Sequence, residues 1–409
     1  MQRELNLKRI VISIGGAVII SASALHAMAG IAQTKNPALD TGFNPWRGVA
    51  PAVAADRLIA NYGDQVDIAA VGALARASLM SQPVNPRALR LSGIVAEAQA
   101  QPGRASRLMH LSNAASRRDM GTQVWLINEA ARTGNAAAAL EHYDIAMRAN
   151  DRVSQLLFPV LTSALEQPEL ARRFVPYIRA DAVWVAPFLN YAFANTKRPE
   201  VFADIMVRAG GFPKTAPHNG QEQALITQLV VQKHFAKARQ TFATWHPDRT
   251  YLFRSLTFDP LNNAATSGMF GWQTSDSPSY GATLVQGEGS RTTELEVFAN
   301  AGARAIVAGK LLFLPPGRYA FQPSYGNAVM AAGSAAIWQV QCVAGAVATT
   351  VWESAGSAPA PDSKPPPAAV TVPGGCDAVY VNLVVAGGTS QTGSELTVRS
   401  VSLAARDSP

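Results

Sequence analysis

Glu294-Leu295-Glu296-Val297-Phe298 alternates charged and apolar side chains with a period of two. Successive side chains of a strand point to opposite faces, so this stretch predicts a strand with one wet face and one buried face. Working outward, Tyr380-Val381-Asn382-Leu383-Val384 and Glu395-Leu396-Thr397-Val398 read the same way. Apolar runs at Leu311–Leu314, Ala336–Cys342 and Ala348–Trp352 predict further strands. Gly287-Glu288-Gly289, Asn300-Ala301-Gly302, Pro315-Pro316-Gly317 and Gly387-Gly388 supply the turns between them. Roughly seven to nine short strands without helices predict an antiparallel two-sheet β-sandwich, or jelly roll, over residues 255–409.

Upstream the pattern changes. Over residues 51–250 apolar residues recur at spacings of three and four, and Ala is abundant. Pro86, Pro102, Gly134 and Pro168 interrupt the pattern, which therefore predicts helical hairpins rather than one long helix. Ala139, Tyr143 and Ala146 share one helix face, and a shift of 34 residues superposes them on Ala105, Met109 and Ser112, with Ile127 falling on Gly93. Ala238, Phe242 and Trp245 form a looser copy. Small residues let the second helix approach the first, while the large one fills the groove between hairpins. Trp125, Trp184 and Tyr143 fit core positions of such hairpins.

The N-terminus sets the expected compartment. Arg3, Lys8 and Arg9 precede an uncharged run from Ile10 to Ala32. A basic flank before such a run predicts export, with the flank staying cytoplasmic. Residues 1–33 are thus expected to be a signal anchor that tethers a periplasmic protein to the inner membrane through residues 10–32. The alternative is a signal peptide cleaved near Ala27-Met28-Ala29. Residues 34–50 read as a linker. The remaining composition excludes other classes. The chain has 409 residues, 48% of them hydrophobic, and only two cysteines. It is too apolar to be largely disordered, has too few long apolar runs for a polytopic transporter, and has too few cysteines for a disulfide-dense scaffold. Of the net charge of +7, residues 255–409 contribute −3, with seven Lys and Arg against ten Asp and Glu. The basic first part has no dense Lys/Arg cluster, and no nucleic-acid partner is expected.

Two family resemblances follow from these motifs. The small–large–small order on the second helix of each hairpin resembles the tetratricopeptide repeat, and implies an α-solenoid that holds a protein partner. In the second half, Phe258-Asp259-Pro260, Gly271-Trp272 and the closing Val398-Arg399-Ser400-Val401-Ser402-Leu403 resemble a carbohydrate-binding or galactose-binding jelly roll. Leu314-Pro315-Pro316-Gly317-Arg318-Tyr319 is a further piece of that kind. Arg399 and Ser400 stand where the closing strand of such domains carries two acids, so the resemblance implies no structural calcium here. The combination resembles bacterial envelope proteins associated with polysaccharide assembly or export.

No catalytic motif is present, and no cofactor or metal is expected. His110, His142, His218, His234 and His246 are scattered without metal spacing. Asp259 with Asp276, or Glu294 with Glu296, are carboxylate pairs an enzyme could use, and Glu294 and Glu296 share one strand face as a solvated pair would. Aromatic rings can cover the flat C–H faces of sugars, which makes Tyr280, Tyr325, Trp272 and Trp352 the candidate glycan contacts. Tyr280 and Tyr325 read as loop residues beside Ser and Gly. In an exported domain Cys342 and Cys376 are expected to form a disulfide. It would close a loop containing the mobile, Pro-rich segment 354–367. The expected function is a non-catalytic scaffold of the cell envelope, with helices holding protein and the sandwich holding glycan or protein. The alternatives are a glycan-active enzyme using the sandwich, or a purely structural assembly subunit.

Overall fold

The computed structural model describes residues 49–149, 153–286, 293–389 and 393–406. The expected export segment at residues 10–32 lies outside them. Among the described residues no helix is long and apolar enough to cross a membrane. The chain forms two compact units, Met1–Arg173 and Phe174–Pro409.

The first unit is helical. It contains α1 (Val49–Tyr62), α2 (Ile68–Ser81), α3 (Pro86–Ala98), α4 (Pro102–Ala115), α5 (Met120–Arg132), α6 (Ala136–Ala149) and α7 (Ser154–Ala164), and α8 (Pro168–Arg179) begins in it. Pro86 and Pro102 open α3 and α4, where a missing N–H costs nothing. Asp67, Asn85 and Asp119 cap α2, α3 and α5 by accepting backbone N–H groups. Gly134 makes the turn between α5 and α6 at φ 72°. Helices pack in sequence order, α3 on α4 and α5 on α6. A Cβ on Gly93 would come within 3.0 Å of Met109, so these helices meet at small residues. Ala105, Met109 and Ser112 are buried, as are Ala139, Tyr143 and Ala146. Arg90 of α3 ties three elements, reaching Asp56 of α1 at 2.7 Å and Asp119 at 2.8 Å.

The second unit holds α9 (Val185–Asn195), α10 (Pro199–Ala209), α11 (Gln221–Val231) and α12 (Phe235–Trp245), followed by the β-sandwich. Among the described residues its strands are β1 (Gln273–Thr274), β2 (Asp276–Ser277), β3 (Tyr280–Gln286), β4 (Thr293–Ala299), β5 (Arg304–Leu312), β6 (Gly317–Val329), β7 (Ser334–Ala344), β8 (Val347–Glu353), β9 (Ala368–Val372), β10 (Ala378–Gly387) and β11 (Ser394–Ala405). They form a five-stranded sheet, β1-β5-β10-β7-β8, and a six-stranded sheet, β2-β3-β4-β11-β6-β9. Every pairing of these strands is antiparallel. Leu295 and Val297 of β4 face the core, with Glu294 and Glu296 on the other face, as the period predicts. Trp272, Phe321, Trp338, Val381 and Val398 fill the space between the sheets.

The boundary near residue 255 falls inside this second unit. Phe242 of α12, Phe253, Phe270 and Phe313 pack across it in tilted and edge-to-face pairs, with centroids 4.8 to 5.8 Å apart. Beneath this seam Lys310 of β5 is fully buried and donates to the Asn262 side chain and the Phe270 carbonyl. Burial lowers its pKa to about 7. The Gly271-Trp272 motif also gains a physical reason here. The backbone of Asn263 passes so close to Gly271 that any side chain would overlap it.

Candidate functional site

Inward-facing residues of β6 alternate as Tyr319, Phe321, Pro323 and Tyr325. On the opposing sheet β7 contributes Ala336 and Trp338, and β8 contributes Trp352. Phe321, Pro323, Tyr325, Ala336, Trp338 and Trp352 line a cavity of about 430 Å³ beside the edge strands β8 and β9. Phe321 is its hinge, with ring centroids 5.4 Å from Trp338 and 5.1 Å from Trp352. Trp338 Nε1 donates to the Tyr325 hydroxyl at 3.0 Å. A phenol that accepts still has its own proton to give. Burial raises the pKa of Tyr325, so the hydroxyl remains a donor.

The roof is the Pro-rich segment 354–367. The composition of this segment predicts a mobile loop, and in the structure it is hydrogen-bonded to both sheets. Ser354 accepts from the Trp338 N–H at 2.9 Å and returns a bond to the Trp338 carbonyl, while Ser357 accepts from Ala336. On the β6 side, Ser363 accepts from the Tyr325 N–H and Asp362 donates to the Gly326 carbonyl, both at 2.8 Å. Gln322 donates to the Pro365 carbonyl, and Arg399 pairs with Asp362 at 2.6 Å. Prolines leave little backbone N–H in the strap to satisfy, so its serines and carbonyls do the anchoring. Ser354, Ser357, Ser363 and Lys364 add polar atoms to the aromatic lining. Cys342 of β7 and Cys376 before β10 are bridged, with Cα atoms 5.4 Å apart.

Of the four candidate glycan contacts, the structure brings Trp352 and Tyr325 together in this cavity. Tyr325 is not in a loop. It is a buried residue of β6, because Gly326 beside it is a packing glycine: a Cβ there would crowd Thr397 and Arg399 of β11 at 3.2–3.3 Å. Tyr280 likewise opens β3 instead of lying in a loop, and Gly281 leaves room for the Phe298 ring. Tyr280 does not line the cavity. Trp272 is core, packed between Phe258 and Trp338, and its Nε1 has no hydrogen-bond partner among the described residues. Phe321 and the strap residues were missed by sequence reasoning; the signal was a Pro-rich stretch starting directly after Trp352.

Asp259 caps a turn, accepting from the N–H groups of Leu261 and Asn262. Asp276 lies on the short strand β2. Glu294 sits 3.9 Å from Arg399, and Glu296 borders a shallow depression on the outer face together with Glu395 and Asn327. Among the described residues no group of His, Cys, Asp and Glu could hold a metal ion. His142 is buried against Gln123, at 2.9 Å.

No family model matches the chain, and no curated protein matches it. Solved structures are similar to part of this chain, two of them as follows. One is the enzymatically active domain of tailspike protein 4 from bacteriophage CBA120, at 11% identity and a TM-score of 0.27, covering 37% of this chain and 22% of that one. The other is a carbohydrate-binding module of the β-sandwich superfamily, at 12% identity and a TM-score of 0.26, covering 36% of this chain and 63% of that one. The chain thus spans less than two thirds of either. The two-sheet assignment rests on the strand order itself.

Proposed function

We propose that this protein is a non-catalytic binding protein of the bacterial cell envelope whose β-sandwich holds a glycan chain at the strapped edge cavity. The observation that carries this reading is the convergence of Trp352, Phe321 and the Tyr325 hydroxyl under a roof of serines and carbonyls. A half-buried indole face covers the C–H face of a sugar ring, and the hydroxyls and carbonyls around it take the sugar's own hydroxyls. The lining carries one ammonium and no carboxylate, so it supplies contacts without an acid–base pair. In the same reading the helices of residues 51–250 form a tetratricopeptide-like array that holds a protein partner in polysaccharide assembly or export, and residues 10–32 carry the chain across the inner membrane and tether it there. Affinity electrophoresis in gels containing neutral polysaccharides tests the glycan part. Retardation that falls about tenfold in apparent affinity on Trp352→Ala supports it. Mobility unchanged by every polysaccharide, or retardation equal in the variant, would refute it.

A further inference from the structure

Lys310 of β5 pairs across the sheet with Val381 of β10. Paired residues share a face, so Lys310 points with Val381 into the sandwich, and it is fully buried there. A lysine is almost never fully buried unless an acid pairs with it. Among the described residues no carboxylate forms an ion pair with Lys310. Its two partners are neutral carbonyl groups, those of the Asn262 side chain and of Phe270. A leucine or methionine would fill the same space without desolvating an amine, so the choice of lysine calls for a chemical reason.

The Asn262 carboxamide is buried and fixed from several sides. Its Nδ2 donates to the Thr257 carbonyl at 2.6 Å, which leaves Oδ1 to Lys310. Its backbone N–H donates to the Asp259 carboxylate at 3.0 Å, and its backbone carbonyl accepts from the Trp272 N–H at 3.1 Å. Lys310 Nζ lies 2.5 Å from Oδ1. A C=O bond is about 1.2 Å long, so the carboxamide carbon is within about 3.7 Å of Nζ. Groups held at about 3–3.5 Å are close to the geometry of attack, and here both are already immobilised. Burial brings the Lys310 pKa to about 7, so much of the side chain is free amine near neutral pH, the form that carries a lone pair. The Asp259 charge favours positive charge on Nζ, which develops as that lone pair attacks.

From a dry amine held against a fixed carboxamide, we propose that Lys310 and Asn262 join in an amide bond that the folded sandwich makes for itself. The Nζ lone pair attacks Cγ of Asn262, the Cγ–Nδ2 bond breaks, and a proton from Nζ leaves with Nδ2 as ammonia. No oxidant or co-reactant enters. The N–H that stays on Nζ keeps the Phe270 carbonyl as its acceptor. The bond ties β5 to the loop that opens the sandwich, across 48 residues of chain. A linked lysine no longer titrates, so a pH-dependent contribution of Lys310 to stability belongs to chains in which the bond has not formed. Mass spectrometry of the full-length protein, purified folded and then digested under denaturing conditions, tests the proposal. The expected product is a branched peptide joining the Asn262 and Lys310 segments. It should weigh about 17 Da less than the two segments together, the mass of the ammonia lost. Asn262→Ala and Lys310→Met should lack it, and Asp259→Asn should form it at least several-fold more slowly. Recovery of both wild-type segments as separate, unmodified peptides overturns the proposal. So does a gain of about 1 Da on Asn262 with Lys310 free, which is attack by water instead of the amine. A branched peptide that persists in Asn262→Ala overturns the assignment of the partner, and an unchanged rate in Asp259→Asn overturns the part given to that carboxylate. The wild-type digest decides the existence of the bond by itself, so a variant that fails to fold leaves the test intact.

Discussion

Two side chains show what single residues contribute. Tyr325 and Trp338 satisfy each other inside the sandwich. Tyr325→Phe leaves the indole N–H buried and unpaired, and chemical denaturation should show a loss of about 1–3 kcal/mol. Lys310 has a folded pKa of about 7 against an ordinary value of 10.5. Between those values the unfolded chain binds more protons than the folded one, so stability should rise as pH climbs from about 7 to 10.5 and lie flat below. Denaturation midpoints measured across that window should lose this Lys310 component of the slope in Lys310→Met. A slope identical in the variant would show that the ammonium is not the source. Neither residue was legible beforehand. An isolated lysine in a strand reads as solvent-facing, and a tyrosine flanked by Ser324 and Gly326 reads as a turn, although Gly326 is there to admit β11.

At the scale of elements, legibility followed the contrast between the two faces. β4 alternates cleanly because one of its faces is wet. β10 is covered on both faces, with Val381 and Leu383 in the main core and Val384 packed with Ile337 on the other side, so its pattern reads only as a strand and not as its orientation. Helix starts were legible because Pro86 and Pro102 stand at their first positions. The roof of the cavity was not, since its anchoring is made by serines and carbonyls whose partners are far away in sequence. Two tests belong here. Asp119 both caps α5 and pairs with Arg90, so Asp119→Ala should cost about 2 kcal/mol in thermal unfolding, against about 1 for a simple cap. Reducing the Cys342–Cys376 bridge, which spans 34 residues, should cost about 3–4 kcal/mol in the chain-entropy picture. Denaturation with and without reductant measures it.

For the whole molecule, the two halves of the sequence differ in alphabet, but the compact units divide elsewhere. The aromatic seam of Phe242, Phe253, Phe270 and Phe313 joins the later helices to the sandwich, and no local pattern announces a contact between residues so far apart in sequence. The fold class of the second half was readable, whereas Trp352 stood out in the sequence only as one aromatic residue of the sandwich among several. The cavity itself needs two sheets and a strap, and exists only at this scale. A crystal structure of the protein soaked with a neutral oligosaccharide that it retains on a gel tests this most directly: the expected result is a sugar ring stacked on Trp352 beneath the 354–367 strap, hydrogen-bonded to the Tyr325 hydroxyl, whereas a sugar seated elsewhere over an unfilled edge cavity would contradict it.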